Sequence, residues 1–177
     1  MPRDEEEIPK LKGRIRELEE QNDGLKKENE ELKKRRDRAR GVPAEDLVAQ
    51  MTGGKRTGGY KDLYDVRTQS GSRIEVKLSK VHDSKSSRTK RWTWANVLGP
   101  KQYDFLVLAG EKDPRCKGYP SDLAYVFFLV PRSKVDDIKG KGNSVALNTN
   151  FQTAGAGKAK ILIERYLVRS QEEFTNL

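Results

Sequence analysis

The chain has 177 residues, a formal net charge of +9, 36% charged and 34% hydrophobic side chains, which fits one compact domain plus an appendage outside its core. No apolar run is long enough to span a bilayer, the acidic start from Met1 to Lys10 lacks the apolar stretch of a secretory signal, and a lone Cys116 excludes an intrachain disulfide and a cysteine-based zinc site. A single histidine, His82, leaves any catalysis to carboxylates, lysine and a hard metal ion. The expected setting is the cytoplasm of a bacterial or phage-like system, with no membrane partner. Of 36 basic and 27 acidic residues, positions 1–41 hold 13 and 12, leaving 23 and 15 to positions 42–177. The positive surplus therefore belongs to the globular part and favours a polyanion such as nucleic acid.

The first expected element is a leucine-zipper coiled coil with a basic linker over 1–41. Leu11, Leu18, Leu25 and Leu32 recur every seven residues, and with these at heptad position d, Ile8, Ile15, Asn22, Asn29 and Arg36 fall at position a. Leucine at d with asparagine at a favours a parallel two-stranded coil, because an asparagine pairs with its twin only in that register. The g-to-e pairs Arg14 with Glu19, Gln21 with Lys26 and Glu28 with Lys33 include no repulsion, but Arg35 and Arg40 break the pattern, so the coil is expected to end near residue 35. Gly13 and Gly24 weaken it by about 1 kcal/mol each. The following basic run, Lys33 to Arg40, comes after the zipper, whereas in a groove-forking basic-zipper helix it comes before.

A second domain is expected over 42–177, opened by Val42-Pro43. Ala44 to Met51 reads as a short helix with Leu47, Val48 and Met51 on one face, ended by Gly53-Gly54. Strands are expected over Leu63 to Thr68, Arg73 to Val81, Phe105 to Ala109 and Ala124 to Val130, the last two as continuous apolar runs suited to interior strands. Trp94 to Tyr103 is read as the crossover helix, Asn143 to Asn148 as a strand, and Ile161 to Val168 as strand or helix. The order indicates an α/β fold with a mixed sheet flanked by helices. Ala154-Gly155-Ala156-Gly157-Lys158 lacks the hydroxyl residue of a phosphate loop and reads as a turn.

The chemistry concentrates in Tyr64 to Lys77. Gln69-Ser70-Gly71 closes a three-residue hairpin loop with Gly71 left-handed, pairing Thr68 with Ser72, Val66 with Ile74 and Asp65 with Glu75. Glu75 and Lys77 then share one face with Asp65, while Ile74, Val76 and Leu78 share the other. A two-residue turn would instead put Asp65 on the apolar face, and Asp62 has the opposite parity. Two neighbouring carboxylates repel unless a cation lies between them. Magnesium takes few protein oxygens and keeps waters for substrate.

Asp65 followed by Glu75-Val76-Lys77 on the next strand resembles the PD-(D/E)xK signature of the restriction-endonuclease-like nuclease superfamily. The resemblance covers roughly 43–131, and Tyr64 stands where the motif has proline. It implies a restriction-endonuclease-like sheet preceded here by the long coiled-coil helix. It also implies Asp65 and Glu75 as ligands of Mg2+ (with Mn2+ as substitute), the Val76 carbonyl as a further ligand, Lys77 as the catalytic lysine, and Glu45 as the added glutamate from the preceding helix.

Lys80, Lys85, Arg88, Lys90 and Arg91 follow in a Ser-rich stretch suited to phosphate contacts, and Lys139 and Lys141 lie in a second Gly-rich basic loop. Trp92 and Trp94 are expected in the core rather than stacked on bases, and His82 is expected to be structural or exposed. The resulting expectation is a homodimeric Mg2+-dependent endonuclease on double-stranded DNA, site-specific and of restriction or homing type. Its rivals are a structure-specific or repair nuclease of the same fold and a non-catalytic zipper-dimerised DNA-binding protein.

Overall fold

A computed structural model describes residues 4–57, 63–83, 90–116, 118–119, 123–153 and 156–177. The chain divides into two compact units, Met1–Arg40 and Gly41–Leu177. In the first unit the chain is helical, within α1 (Asp4–Met51). Ile15, Leu18, Leu25 and Leu32 are between 49% and 60% exposed, so these four seam positions are open to solvent. The charges pair along the helix instead: Arg14 with Glu17 at 2.6 Å, Arg16 with Glu20 at 3.6 Å and Lys26 with Asp23 at 3.1 Å. Such exposed pairs contribute only a few tenths of a kcal/mol each. Among the described residues no helix is long and apolar enough to cross a membrane.

The separate short helix expected over 44–51 is instead the C-terminal end of α1, and Pro43 lies inside the helix rather than opening the domain. Proline removes one backbone donor at a cost of about 3 kcal/mol. Burial of Ala44, Val48, Ala49 and Met51 offsets this, since each large apolar side chain contributes roughly 1.5–3 kcal/mol. Gly53, at φ +60, then ends the helix.

Unit two is mixed α/β. Its main sheet runs β1 (Lys55–Arg56), β2 (Val66–Arg67), β3 (Arg73–Ser79), β6 (Phe105–Gly110), β7 (Val126–Pro131), and a second sheet holds β4 (His82–Asp83), β5 (Lys90–Trp94) and β8 (Val145–Asn148) in the order β4-β5-β8. Among the described residues only β3 and β6 pair in parallel, so the main sheet is mixed, and neither sheet closes into a barrel there. The helices α2 (Val135–Ile138), α3 (Lys158–Tyr166) and α4 (Glu172–Thr175) complete the unit. Part of 161–168 is therefore helical, with Leu167 bridging to Phe128.

No crossover helix lies over 94–103. Trp94 ends β5, and residues 95–104 form turns with Asn96 at φ +54. The chain crosses from β3 to β6 through the second sheet, because Trp92 and Trp94 must be buried over β6. Their indole N–H groups donate to the carbonyls of Glu111 at 2.9 Å and Ala109 at 2.8 Å. The core role expected for both tryptophans is what the fold gives them. The strand expected over 63–68 shortens to Val66–Arg67, and before it the Asp65 N–H turns to the Ile74 carbonyl, out of the Val66–Ile74 register.

Both faces of the main sheet are covered. Leu106, Leu108, Phe128 and Val130 pack with Trp92, Trp94, Val145 and Leu147 on one side. Ile74, Val76, Val107 and Phe127 pack with Val48, Met51 and Phe174 on the other. Two-sided burial accounts for the unbroken apolar runs of β6 and β7.

Candidate active site at the end of the β2–β3 ladder

The hairpin has the register read from the sequence over 66–74, but the expected Asp65–Glu75 pair does not form in the ladder. Val66 pairs with Ile74 and Arg67 with Arg73, the Thr68 N–H donates to the Ser72 carbonyl, and Gly71 has φ +95. Asp65 donates its N–H to the Ile74 carbonyl. The next even residue of β3, Val76, has no strand opposite it, and its N–H donates instead to Asp65 Oδ2 at 2.8 Å. A carboxylate thus replaces a rung of the ladder. Because N–H and C=O of one strand residue point the same way, the Val76 carbonyl is turned to this side as well.

Glu75 and Lys77 pair with Leu106 and Leu108 across the parallel ladder, so they lie on the face covered by the second sheet. The polar face is therefore not a solvent face: Glu75 is only 1% exposed. Lys77 Nζ lies 2.6 Å from Glu75 Oε1. Lys101 Nζ lies 2.8 Å from Glu75 Oε2 and 2.7 Å from Asp65 Oδ1, donating a hydrogen bond to the latter. Neither buried Glu75 oxygen has an aligned hydrogen-bond donor; both ammonium groups are close enough for ion pairing but off-axis.

Burial, and then the Asp65 charge, push the Glu75 carboxyl above its ordinary range, against the pull of Lys77 and Lys101. Burial works to lower Lys101, but the hydrogen bond to Asp65 and the ion pair with Glu75 outweigh it and raise the ammonium. Glu45 is also held above the ordinary range, by burial first and then by Asp65, with Glu75 adding to the effect. The α1 glutamate therefore lies within the field of both carboxylates, while Arg56, 3.8 Å away, offsets part of their repulsion. Arg73 fastens the start of β3 to β6 through Asp104, at 3.1 and 2.8 Å from its side chain and 2.8 Å from its backbone N–H.

Asp65, Glu75, Val76 and Lys77 are thus brought together, with Glu45 nearby. Among the described residues no group of three or more acidic, histidine or cysteine side chains is arranged to hold a metal ion. The oxygen donors fit a magnesium ion in a narrower sense, since that ion takes one or two carboxylates and keeps waters, and Glu75 presents buried oxygens without aligned partners.

Sequence reasoning missed Lys101. No local motif marks it; only the parallel pairing of β6 with β3, together with the Gln102 N–H bond to the Leu63 carbonyl, brings this loop to Asp65. Of the basic residues read as DNA contacts, Lys85 and Arg88 lie outside the described residues. Lys80, Arg91 and Lys141 are exposed; Lys80 is 3.5 Å from Glu111, and Lys139 is 3.0 Å from Asp136. Lys90 lies in β5 and its carbonyl accepts from the Thr149 N–H. His82 is exposed. No family model and no curated protein sequence matches the chain.

Proposed function

We propose that unit two is a Mg2+-dependent endonuclease of the restriction-endonuclease-like type, acting on double-stranded DNA. The observation that carries this reading is the convergence of Asp65, Glu75 and Lys77, with Glu45 adjacent, on an interrupted strand edge. Asp65 Oδ1, Glu75 Oε2 and the Val76 carbonyl would hold the ion. When bound, it supplies positive charge to the scissile phosphate and acidifies a water. Lys77, fixed on β3 beside Glu75, orients that water and stabilises charge developing on the phosphoryl oxygens. Glu45, with its carboxyl held above the ordinary range, keeps a proton more readily than a surface glutamate and is suited to relay one.

The surplus of positive charge in 42–177 and the exposed Lys80, Arg91 and Lys141 support a DNA partner. The unburied leucine seam supports a homodimer through a parallel zipper. Two such sites related by a two-fold axis would each cut one strand, favouring a palindromic or pseudo-palindromic target.

Incubation with supercoiled plasmid and phage DNA, with and without Mg2+ or Mn2+, tests the reading. Metal-dependent cleavage into discrete bands, lost in Asp65→Ala and Lys77→Ala, is expected; undiminished cutting by both variants refutes the site. Smears or junction-only cutting point to a structure-specific nuclease. A second reading is favoured by Lys101, whose ammonium lies between the carboxylates: a DNA-binding protein in which these groups are a structural ion-pair cluster. Mobility shifts without cleavage under any divalent metal would establish it.

A further inference from the structure

We propose that Lys101 is the resident counter-cation of this site, occupying the place of the divalent ion and giving it up when that ion binds. The proposal rests on the metal-dependent reading above. One nitrogen sits 2.7 Å from Asp65 Oδ1 and 2.8 Å from Glu75 Oε2, which is where a cation shared by the two carboxylates must lie. The ammonium neutralises Glu75 without satisfying it, because its three donors are directional and neither Glu75 oxygen receives an aligned one. A metal ion accepts lone pairs from oxygens already in place and has no such constraint.

Lys101 is also the member of the cluster able to leave. It sits in the turn-rich segment 95–104, after Gly99-Pro100, with its side chain 31% exposed on a flexible four-carbon stem. Lys77 is fixed by the β3 ladder and forms an ion pair with one Glu75 oxygen. The site is therefore charge-balanced and folded without metal, and divalent binding is an exchange of one cation for another. That exchange weakens metal affinity and keeps the carboxylates from splaying in the meantime.

Calorimetric titration of the full chain with MnCl2, comparing wild type, Lys101→Met and Lys101→Arg, tests this without reference to cleavage. Circular dichroism verifies the fold, and Lys101→Gln serves in place of Lys101→Met should that variant not fold. Lys101→Met should bind Mn2+ on the order of tenfold more tightly, having lost a competing unit charge at contact distance. Lys101→Arg, which keeps the charge, should not. Without metal, Lys101→Met should melt lower than wild type, and saturating Mn2+ should close the gap.

If wild type binds and Lys101→Met binds equally or more weakly, the exchange is overturned and the metal-dependent reading stands. Binding by Lys101→Met but not by wild type shows that Lys101 does not yield its place, which overturns the exchange together with the metal-dependent reading. Binding by neither overturns both.

Discussion

Replacing Gly110 with alanine tests how the two sheets are held together, and so how β3 is positioned. A Cβ there would meet Trp92 at 2.6 Å from Cε2 and 2.8 Å from both Cδ2 and Nε1, against about 3.5–4.0 Å for carbon atoms at their optimal separation. The indole has nowhere to go: it is fully buried, with ring centroids of Trp94, Tyr119, Phe128 and Phe151 at 5.9, 5.8, 6.4 and 6.2 Å. Moving it also strains the bond from Nε1 to the Glu111 carbonyl. Overpacking costs about 1–3 kcal/mol and a weakened buried hydrogen bond about 1 more, so Gly110→Ala should destabilise by roughly 2–4 kcal/mol. Urea unfolding followed by tryptophan fluorescence should show a lower midpoint with unchanged slope. Trp92→Leu removes the ring atoms concerned, so the double variant should lose less than the sum of the single losses. A Gly110→Ala loss under about 0.5 kcal/mol, or strict additivity with Trp92→Leu, would refute the reasoning.

Glu45→Gln should be more stable than wild type near neutral pH in metal-free buffer. The Glu45 carboxyl is raised by burial and by Asp65, so its contribution is full below the ordinary glutamate range and is lost as pH rises through its raised value; the two proteins should converge in acid by urea midpoint. Asp113 has the opposite sign. Hydrogen bonds from Arg115 hold it well below the ordinary carboxylate range, so its contribution is present above that range and fades as pH falls. Asp113→Asn should cost about 1–2 kcal/mol at neutral pH, towards the low end for charged hydrogen bonds because Arg115 is 57% exposed. Ser79→Ala should cost about 1–3 kcal/mol, because Ser79 Oγ accepts the Thr93 N–H at 2.9 Å and alanine leaves that donor unpaired between the sheets. Leu18→Lys together with Leu25→Lys should convert a dimer into a monomer by sedimentation if the exposed seam is an oligomer contact.

The hairpin was legible because its signals are local. Gly71 fixes the loop, the loop fixes the register as far as Val66–Ile74, and that brings Asp65 beside β3. Strands β6 and β7 were legible because burial on both faces writes an unbroken apolar run. The helix expected over 94–103 failed because Trp92 and Trp94 follow a two-residue period whose meaning depends on a distant partner, β8. The burial of Glu75 was equally hidden, since one strand shows which residues share a face but not what covers that face. Lys101 reaches the site only through long-range pairing of β3 with β6, which no short stretch of sequence encodes.

The two oxygens of Asp65 are already divided between tasks: Oδ2 is held by the Val76 amide and Oδ1 by an ammonium. To chelate with both oxygens the carboxylate would have to share Oδ2 between the ion and the peptide N–H that orients it. The backbone therefore favours single-oxygen contact, through Oδ1, with a cation at this place. A small six-coordinate ion tolerates that restriction, whereas calcium, which often gathers seven or eight oxygens with bidentate carboxylates, is discouraged by a single peptide N–H.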